Sequence, residues 1–322
     1  MTTTHDPQDH DLEAPAGDEA LLELGEVAGK HRSLRADVWR QFRRHKGAVV
    51  GLVLLIIIVI ASYLGPLLYP LDPFEIDPTN TNQPPSWGHP AGTDNVGRDV
   101  MARVLTGGRI SLSVGFAAML VGLFLGTAVG VLAGFFRRLD GPLMRVTDLF
   151  LSLPLLPLLL VVIMLFREPL KDSFGPSTGI FVLVVGIIGA TSWMQTARVV
   201  RGDVLAIKGE EFVLAARSIG TRQRRVVTRH IVPNVMSPVI VAASIGVANA
   251  IITESALSFL GLGFPADFPT WGRLLFDAKD YMSINVWRVV WPGVLISASV
   301  MCVNFIGDGL RDALDPRLRS KG

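Results

Sequence analysis

Six long runs of apolar residues, each free of charge along its length, constrain this chain more than any other feature. They are Ala48 to Tyr69, Ile110 to Phe136, Leu149 to Phe166, Ser173 to Ala197, Ile231 to Thr253 and Val289 to Gly307, and the fifth continues past Glu254 through Ala256 to Phe264. Bilayer hydrocarbon is about 30 Å thick and a spanning helix needs ~20 apolar residues, so each run crosses a membrane or nearly does. The core helices of a soluble protein carry an apolar stripe and shorter runs, whereas these segments are apolar all round. Half of the 322 residues are hydrophobic and the mean hydropathy is +0.45. The expected fold class is an all-α polytopic membrane protein with six transmembrane helices.

Charge between the runs sets the orientation. Arg40, Arg43, Arg44 and Lys46 precede the first run, and acids dominate the next loop (Asp72, Glu75, Asp77, Asp94 and Asp99 against Arg98). Arg137, Arg138 and Arg145 follow the second run, and a balanced loop, Arg167 to Asp172, follows the third. The richest basic loop holds Arg198, Arg201, Lys208, Arg217, Arg222, Arg224, Arg225 and Arg229; the tail is basic again, with Arg311, Arg317, Arg319 and Lys321. Basic and non-basic loops alternate, so the positive-inside rule puts both termini in the cytoplasm, as an even number of spans requires. Met1 to Gly29 has many acids and no Lys or Arg, and reads as a disordered tail with a short helix near Asp18 to Val27. Arg35 to Lys46 reads either as an amphipathic surface helix carrying Trp39 and Phe42 or as a plain basic stop before the first span. The prolines of the first outer loop (Pro70, Pro73, Pro78, Pro84, Pro85, Pro90) keep it extended and irregular. In the last outer loop Pro269-Thr270-Trp271-Gly272 reads as a tight turn opening a short helix to Lys279, and Trp271, Trp287 and Trp291 fit headgroup-level anchoring.

Several chemistries are set aside. The single cysteine, Cys302, leaves no disulfide framework or thiolate metal site, and no signal peptide is visible. His5 and His10 lie in the acidic tail without further ligands, so no metal is expected. Gly29-Lys30 has Leu24 where a phosphate loop needs its first glycine and His31 where it needs Ser or Thr. No cofactor of its own and no nucleic-acid partner are expected for this chain.

The most informative stretch is the large basic loop, Glu211 to Asn234 (EFVLAARSIGTRQRRVVTRHIVPN). Phe212, Ala215, Ala216 and Ile219 fall at i, i+3, i+4 and i+7, one face of a helix with a bulky anchor beside two alanines. Gly220 ends that helix where a left-handed residue is wanted. A second, basic segment runs to Pro233, which opens the fifth span where a missing N–H is harmless. The apolar face must be buried against the chain's own bundle, the lipid interface or a partner subunit.

The spacing Ala-Ala-x3-Gly with Pro thirteen residues on (Ala215, Ala216, Gly220, Pro233) resembles the EAA loop of ABC importer permeases, where this loop is the coupling helix that docks on the ATPase. Leu214 stands where the consensus has glutamate, and Glu211 with Phe212 lies one turn earlier, as in peptide-type permeases, which also share Arg229 to Asn234. From about Trp39 onward the chain is similar to C-type permeases of dipeptide and oligopeptide importers. The matching segments are Gly92 to Val100, Arg109 to Gly115, Met144 to Pro154, Glu254 to Gly263, Pro269 to Gly272 and Asn304 to Leu318.

The resemblance implies a type I ABC importer permease fold with coupling loop 201–233 in a core over 109–310. Ahead of that core lie a tail (1–29), a juxtamembrane helix (30–47), a first span (48–70) and an extracytoplasmic loop (71–108); residues 311–322 follow as a tail. It implies a bacterial inner-membrane location in the lipid bilayer, and partners: a homologous second permease, two ATPases holding ATP and Mg, and an extracytoplasmic binding protein. Relatives of this type also import nickel chelates, haem, glutathione and antimicrobial peptides. Glu254, an acid inside a span, is either a gate or substrate contact or a structural partner for nearby hydroxyls; the glycines that follow favour the structural role. Arg98 and Asp99 are candidates for contact with the binding protein or for an ion pair within the loop. The rival classes are an ATP-independent secondary transporter, which calls for several midplane ionisable sites, and a membrane enzyme, which calls for converging catalytic groups.

Overall fold

A computed structural model describes residues 34–314. The acidic tail with His5 and His10, the Gly29-Lys30 pair and the final basic residues Arg317, Arg319 and Lys321 lie outside the described residues. The chain is helical, and among the described residues the one β-type pairing is a bridge between Thr93 and Asp99. The helices are α1 (Leu34–Arg44), α2 (Lys46–Leu68), α3 (Val100–Phe135), α4 (Arg137–Ser152), α5 (Leu155–Phe174), α6 (Pro176–Ile207), α7 (Glu211–Ser218), α8 (Gln223–Val226), α9 (Met236–Phe259), α10 (Trp271–Ala278) and α11 (Trp287–Leu314). Five of them, α2, α3, α6, α9 and α11, are each long and apolar enough to cross a membrane.

The sixth expected span differs. Helices α4 and α5 are bent by 88° from one another, with the break inside the run Leu149 to Phe166. Leu153 precedes Pro154, whose ring pushes it out of the helical region, and it adopts φ −76°, ψ 138°. Pro154 has no N–H to continue the ladder. The amphipathic half before the break becomes its own helix, and only the bent pair α4–α5 taken together is long and apolar enough to cross.

The tightest seam joins α3 to α6. Gly122, Gly126, Gly130 and Gly134 recur every four residues along α3, so one face of that helix has no side chains. A Cβ on Gly126 would meet the Trp193 carbonyl at 2.6 Å, one on Gly130 the Ala197 carbonyl at 2.7 Å and one on Gly134 the Val204 Cβ at 2.7 Å. Gly189 answers from α6, where a Cβ would meet Val121 at 2.5 Å. In lipid there is no hydrophobic force to bring helices together, and close backbone approach through small residues supplies the dispersion contacts instead. Around this pair, α9 packs on both α3 and α6, α11 packs on α2 and α9, and α5 lies along α6.

At one end of the bundle, residues 69–99 form an irregular clasp over α10 and the start of α11. Asp94 anchors it: its Oδ1 accepts from the N–H groups of Val96 (2.9 Å) and Arg98 (3.0 Å), and its Oδ2 pairs with Arg98 (2.7 Å) and Arg103 (3.2 Å). Gly97 is the turn's hinge, at φ +85° with its α-carbon packed under the Asp77 carbonyl, so a side chain there fails on both conformation and space. Arg288 donates to Asn82 (2.9 Å) and Asn95 (3.2 Å), tying the clasp to α11. At the other end, α1 packs against the end of α11, with Phe42 beside Ala48 and Ala313 and Trp39 left exposed.

Candidate functional site

Two features converge at the second end of the bundle and along its middle: a helical hairpin that projects from the end, and a cleft between the spans.

The hairpin is α7, α8 and the π-helical turn Val227–Ile231. The end of α7 is closed as its glycine predicts: Gly220 has φ +78°, its N–H donates to the Arg217 carbonyl (2.9 Å), and the Thr221 N–H reaches back to Ala216 (3.2 Å). Those two bonds make a Schellman cap. The face assignment is different from the one spacing gave. Val213 is 0 % exposed and Ala216 7 %, and Val213 packs with Val131, Val200, Val204, Val226, Ile231 and Val235. Phe212 (44 % exposed), Leu214 (48 %) and Ile219 (82 %) face outward together with Ala215. The inward side of the helix thus runs through Val213 and Ala216, which separates Ala216 from the Phe212–Ile219 face. The reason is the valine-rich floor made by α3, α6 and the turn before α9, which takes up Val213. His230 sits 6.3 Å from the Phe212 ring, and Arg217 lies 5.0 Å over Phe135. Glu211 is exposed in the first turn, where an acid suits the helix dipole.

Pro233 stands in the turn just before α9, which begins three residues later than the proline. Its missing N–H breaks the ladder, and the chain slips one residue into a π turn, with the Val232 N–H donating to Val227 (2.9 Å). The Asn234 side-chain amide donates to the His230 carbonyl (2.7 Å), the acceptor its own backbone N–H would have used in a regular helix.

The cleft, of about 370 Å³, opens between α6, α9 and the α4–α5 bend. Phe150, Leu155, Ile188 and Ile245 are among its apolar walls, and Gln195 and Asn249 are its carboxamides; among the described residues no Asp, Glu, Lys, Arg or His lines it. Sequence reasoning missed this site, because its polar members are uncharged residues scattered through two apolar spans, α6 and α9.

Glu254 lies outside the cleft and is fully buried. It accepts from Ser111 on α3 (3.0 Å) and from Ser258 one turn along its own helix (2.7 Å). Ser111 in turn accepts from the Trp271 N–H (3.2 Å), and the Trp271 indole donates to the Val104 carbonyl (3.0 Å). Glu254 is therefore seated as a structural partner of hydroxyls. Trp271, expected as a headgroup anchor, is buried at the start of α10, because Gly107, Gly108 and Gly272 let the Pro269–Gly272 turn lie across α3 and α9.

Asp99 caps α3 by accepting from Ala102 N–H (2.7 Å) and pairs with His89 (2.8 Å), and it too is buried. Arg98 is engaged by Asp94 rather than by its neighbour Asp99. Tyr69 donates to Asp99 at 3.4 Å, and burial, with the Asp99 charge second, pushes its phenol up to about 12.

A bundle of long spans around a glycine-laced helix pair, with a short capped helix projecting from one end, is the fold of an ABC importer permease. The methionine ABC transporter MetNI, in inward-facing conformations, matches it with a TM-score of 0.54 and 18 % identity over 67 % of this chain and 98 % of that one. The chain belongs to the family described as binding-protein-dependent transport system inner membrane component, whose pattern matches residues 104–320. Residues 33–85 match the N-terminal TM domain of oligopeptide transport permease C. Similar proteins include the oligopeptide transport system permease protein OppC of Bacillus subtilis, 36 % identical over 91 % of this chain and 93 % of that one. The dipeptide transport system permease protein DppC of the same organism is 39 % identical over 89 % and 87 %. OppC of Haemophilus influenzae is 38 % identical over 92 % and 93 %. The chain is a multi-pass inner-membrane transport component and not an enzyme, and the secondary-transporter and membrane-enzyme alternatives fall.

Proposed function

We propose that this chain is one of two permease subunits of an importer of di- and oligopeptides, working by alternating access. A homologous permease completes the pathway, two ATPases hold the ATP and Mg, and an extracytoplasmic binding protein delivers the substrate. Both termini and the hairpin face the cytoplasm, in keeping with the basic loops. The outward face Phe212–Leu214–Ile219 is the observation that carries the reading. Phe212 and Leu214 stand exposed on a short helix and Ile219 at its C-cap, while Val213 and Ala216 are locked into the bundle, on a loop rich in arginine. Such a face calls for a partner protein. The peptide substrate is supported by the relatives, named as oligopeptide and dipeptide permeases over about nine tenths of both chains.

Docking is tested by Ile219→Asp and Phe212→Ala, with Arg138→Ala as a control away from the hairpin. The first two should abolish co-purification with the ATPases while the chain still inserts and melts normally. Undiminished ATPase capture by Ile219→Asp rules the docking role out.

A further inference from the structure

Asn249 and Gln195 carry carboxamides on two different spans that line one cleft, and neither side-chain amide has a hydrogen-bond partner among the described residues. Three of the neighbouring hydroxyls are spent locally: Thr191 donates to the Ile187 carbonyl (2.8 Å), Ser192 to Gly189 (3.2 Å) and Thr253 to Asn249 (2.7 Å). Asn249 is near the middle of α9, ~20 Å along from Met236 at 1.5 Å per residue. A free amide at that depth is costly against lipid, because hydrocarbon offers no partner. The cleft therefore faces something that can hydrogen-bond.

We propose that Gln195 and Asn249 form a transit site that reads the backbone amide groups of the passing peptide. This rests on the peptide-importer reading above. A carboxamide presents a C=O acceptor beside an NH₂ donor, the same pair that a peptide group presents, so the two match without any charge. The absence of ionisable groups from the lining fits a substrate whose side chains vary in charge: nothing in the cleft rewards or repels one sign. The apolar walls tolerate side chains of differing size while the amides hold the main chain. Neutral hydrogen bonds are also weak enough to release the peptide, which a transit site needs.

The test uses the complete transporter, with second permease, ATPases and binding protein, in proteoliposomes. The substrates are trialanine and its depsipeptide analogue, in which an ester replaces an internal amide and removes one N–H; each is loaded to saturation on the binding protein. The native complex should take up the amide faster than the ester. Gln195→Leu with Asn249→Leu should lower trialanine uptake per ATP about tenfold, the loss of roughly one hydrogen bond, and should equalise amide and ester. Asn249→Gln, which keeps the amide, should restore the preference. Uptake by the double variant within about twofold of native, with the preference intact, overturns the proposal. If the double variant fails to assemble, the two single variants decide, and an unchanged amide-to-ester ratio in both overturns it. A native complex that takes up no peptide at all defeats the peptide reading itself, and this one with it.

Discussion

Ser111→Ala is the sharpest single perturbation of the membrane interior. The Ser111 hydroxyl is fully buried and does two things at once: it donates to Glu254 at 3.0 Å and accepts from the Trp271 N–H at 3.2 Å. Alanine removes both. The Trp271 N–H is one of the donors at the start of α10 that no helical carbonyl serves, and it is fully buried, so leaving it unmade costs ~1–3 kcal/mol. Glu254 loses one hydroxyl donor and keeps others, Ser258 among them. A hydrogen bond to a charged acceptor contributes about 1.5–3 kcal/mol, and a neutral one less. The two losses share an atom and are not additive, so about 3 kcal/mol in all is expected, roughly a hundredfold in the folding equilibrium. The assay is thermal or SDS unfolding of the purified protein in lipid nanodiscs, followed by tryptophan emission, since Trp271 reports on its own seat. Ser218→Ala is the matched control: that exposed hydroxyl bonds only the Leu214 carbonyl of its own helix, and its loss should stay within about 0.5 kcal/mol. Equal stabilities for the two alanine variants would refute the linked Glu254–Ser111–Trp271 seat.

Gly126→Leu should separate α3 from α6, since a Cβ there already meets Thr196 and the Trp193 carbonyl at 2.6 Å, and little folded protein should be recovered on size-exclusion chromatography; Gly186→Ala, with open space around it, should behave as native. Asp77 is held below the usual carboxylate range chiefly by the Thr79 hydroxyl, then by Asn80, so its contribution to the outer clasp is present above about pH 4 and lost as pH falls through the lowered value. Limited proteolysis of the Leu71–Val100 segment should therefore quicken below about pH 4 in the native protein and much less so in Asp77→Asn. Tyr69 should resist ionisation until about pH 12, read as the delayed 295 nm absorbance step that Tyr69→Phe removes; its raised value makes the clasp's stabilisation from this group complete below about pH 10 and lost above 12.

How much of this was legible in the sequence varied with the length scale of the signal. Uninterrupted runs of apolar residues give long helices because a spanning segment must satisfy its own backbone, and five runs each hold most of one long helix. Gly220 and the Pro269–Gly272 turn were readable because each depends on a local backbone preference. The break at Leu153-Pro154 was open to the same kind of reading, but the unbroken hydrophobicity on both sides masked it. The Gly122–Gly134 spacing of four was also present in the sequence as a close-packing signal, and it needed only the identity of its partner span. Helix α7 is different. At eight residues it has just over two turns, so several apolar faces fit its sequence, and only the valine floor on α3 and α6 decides that Val213 turns inward. The cleft was illegible for a related reason: Gln195 and Asn249 are 54 residues apart, and nothing short of tertiary packing brings their helices together.

The hairpin and the cleft share their supports. Helix α6 contributes Val200 and Val204 to the floor under Val213, and the same helix carries Gln195, ~8 Å from Val200 and ~14 Å from Val204 at 1.5 Å per residue. Helix α9 is rooted in the hairpin through Ile231 and Val235 and carries Asn249. The helix that carries Phe212 is therefore packed, through Val213 and its valine neighbours, against the ends of both amide-bearing spans. The two spans are held unequally. Helix α6 is packed against α3 along the glycine seam, whereas α9 follows a π turn closed by the Val232 N–H on Val227 and a short irregular stretch in which the Asn234 side chain bonds the His230 carbonyl. Such a turn can change its hydrogen-bond register by one residue at small cost. Motion at the hairpin is then expected to appear as rotation of α9 against a rigid α3–α6 pair, which would turn Asn249 relative to Gln195 and change which amide groups the cleft can reach.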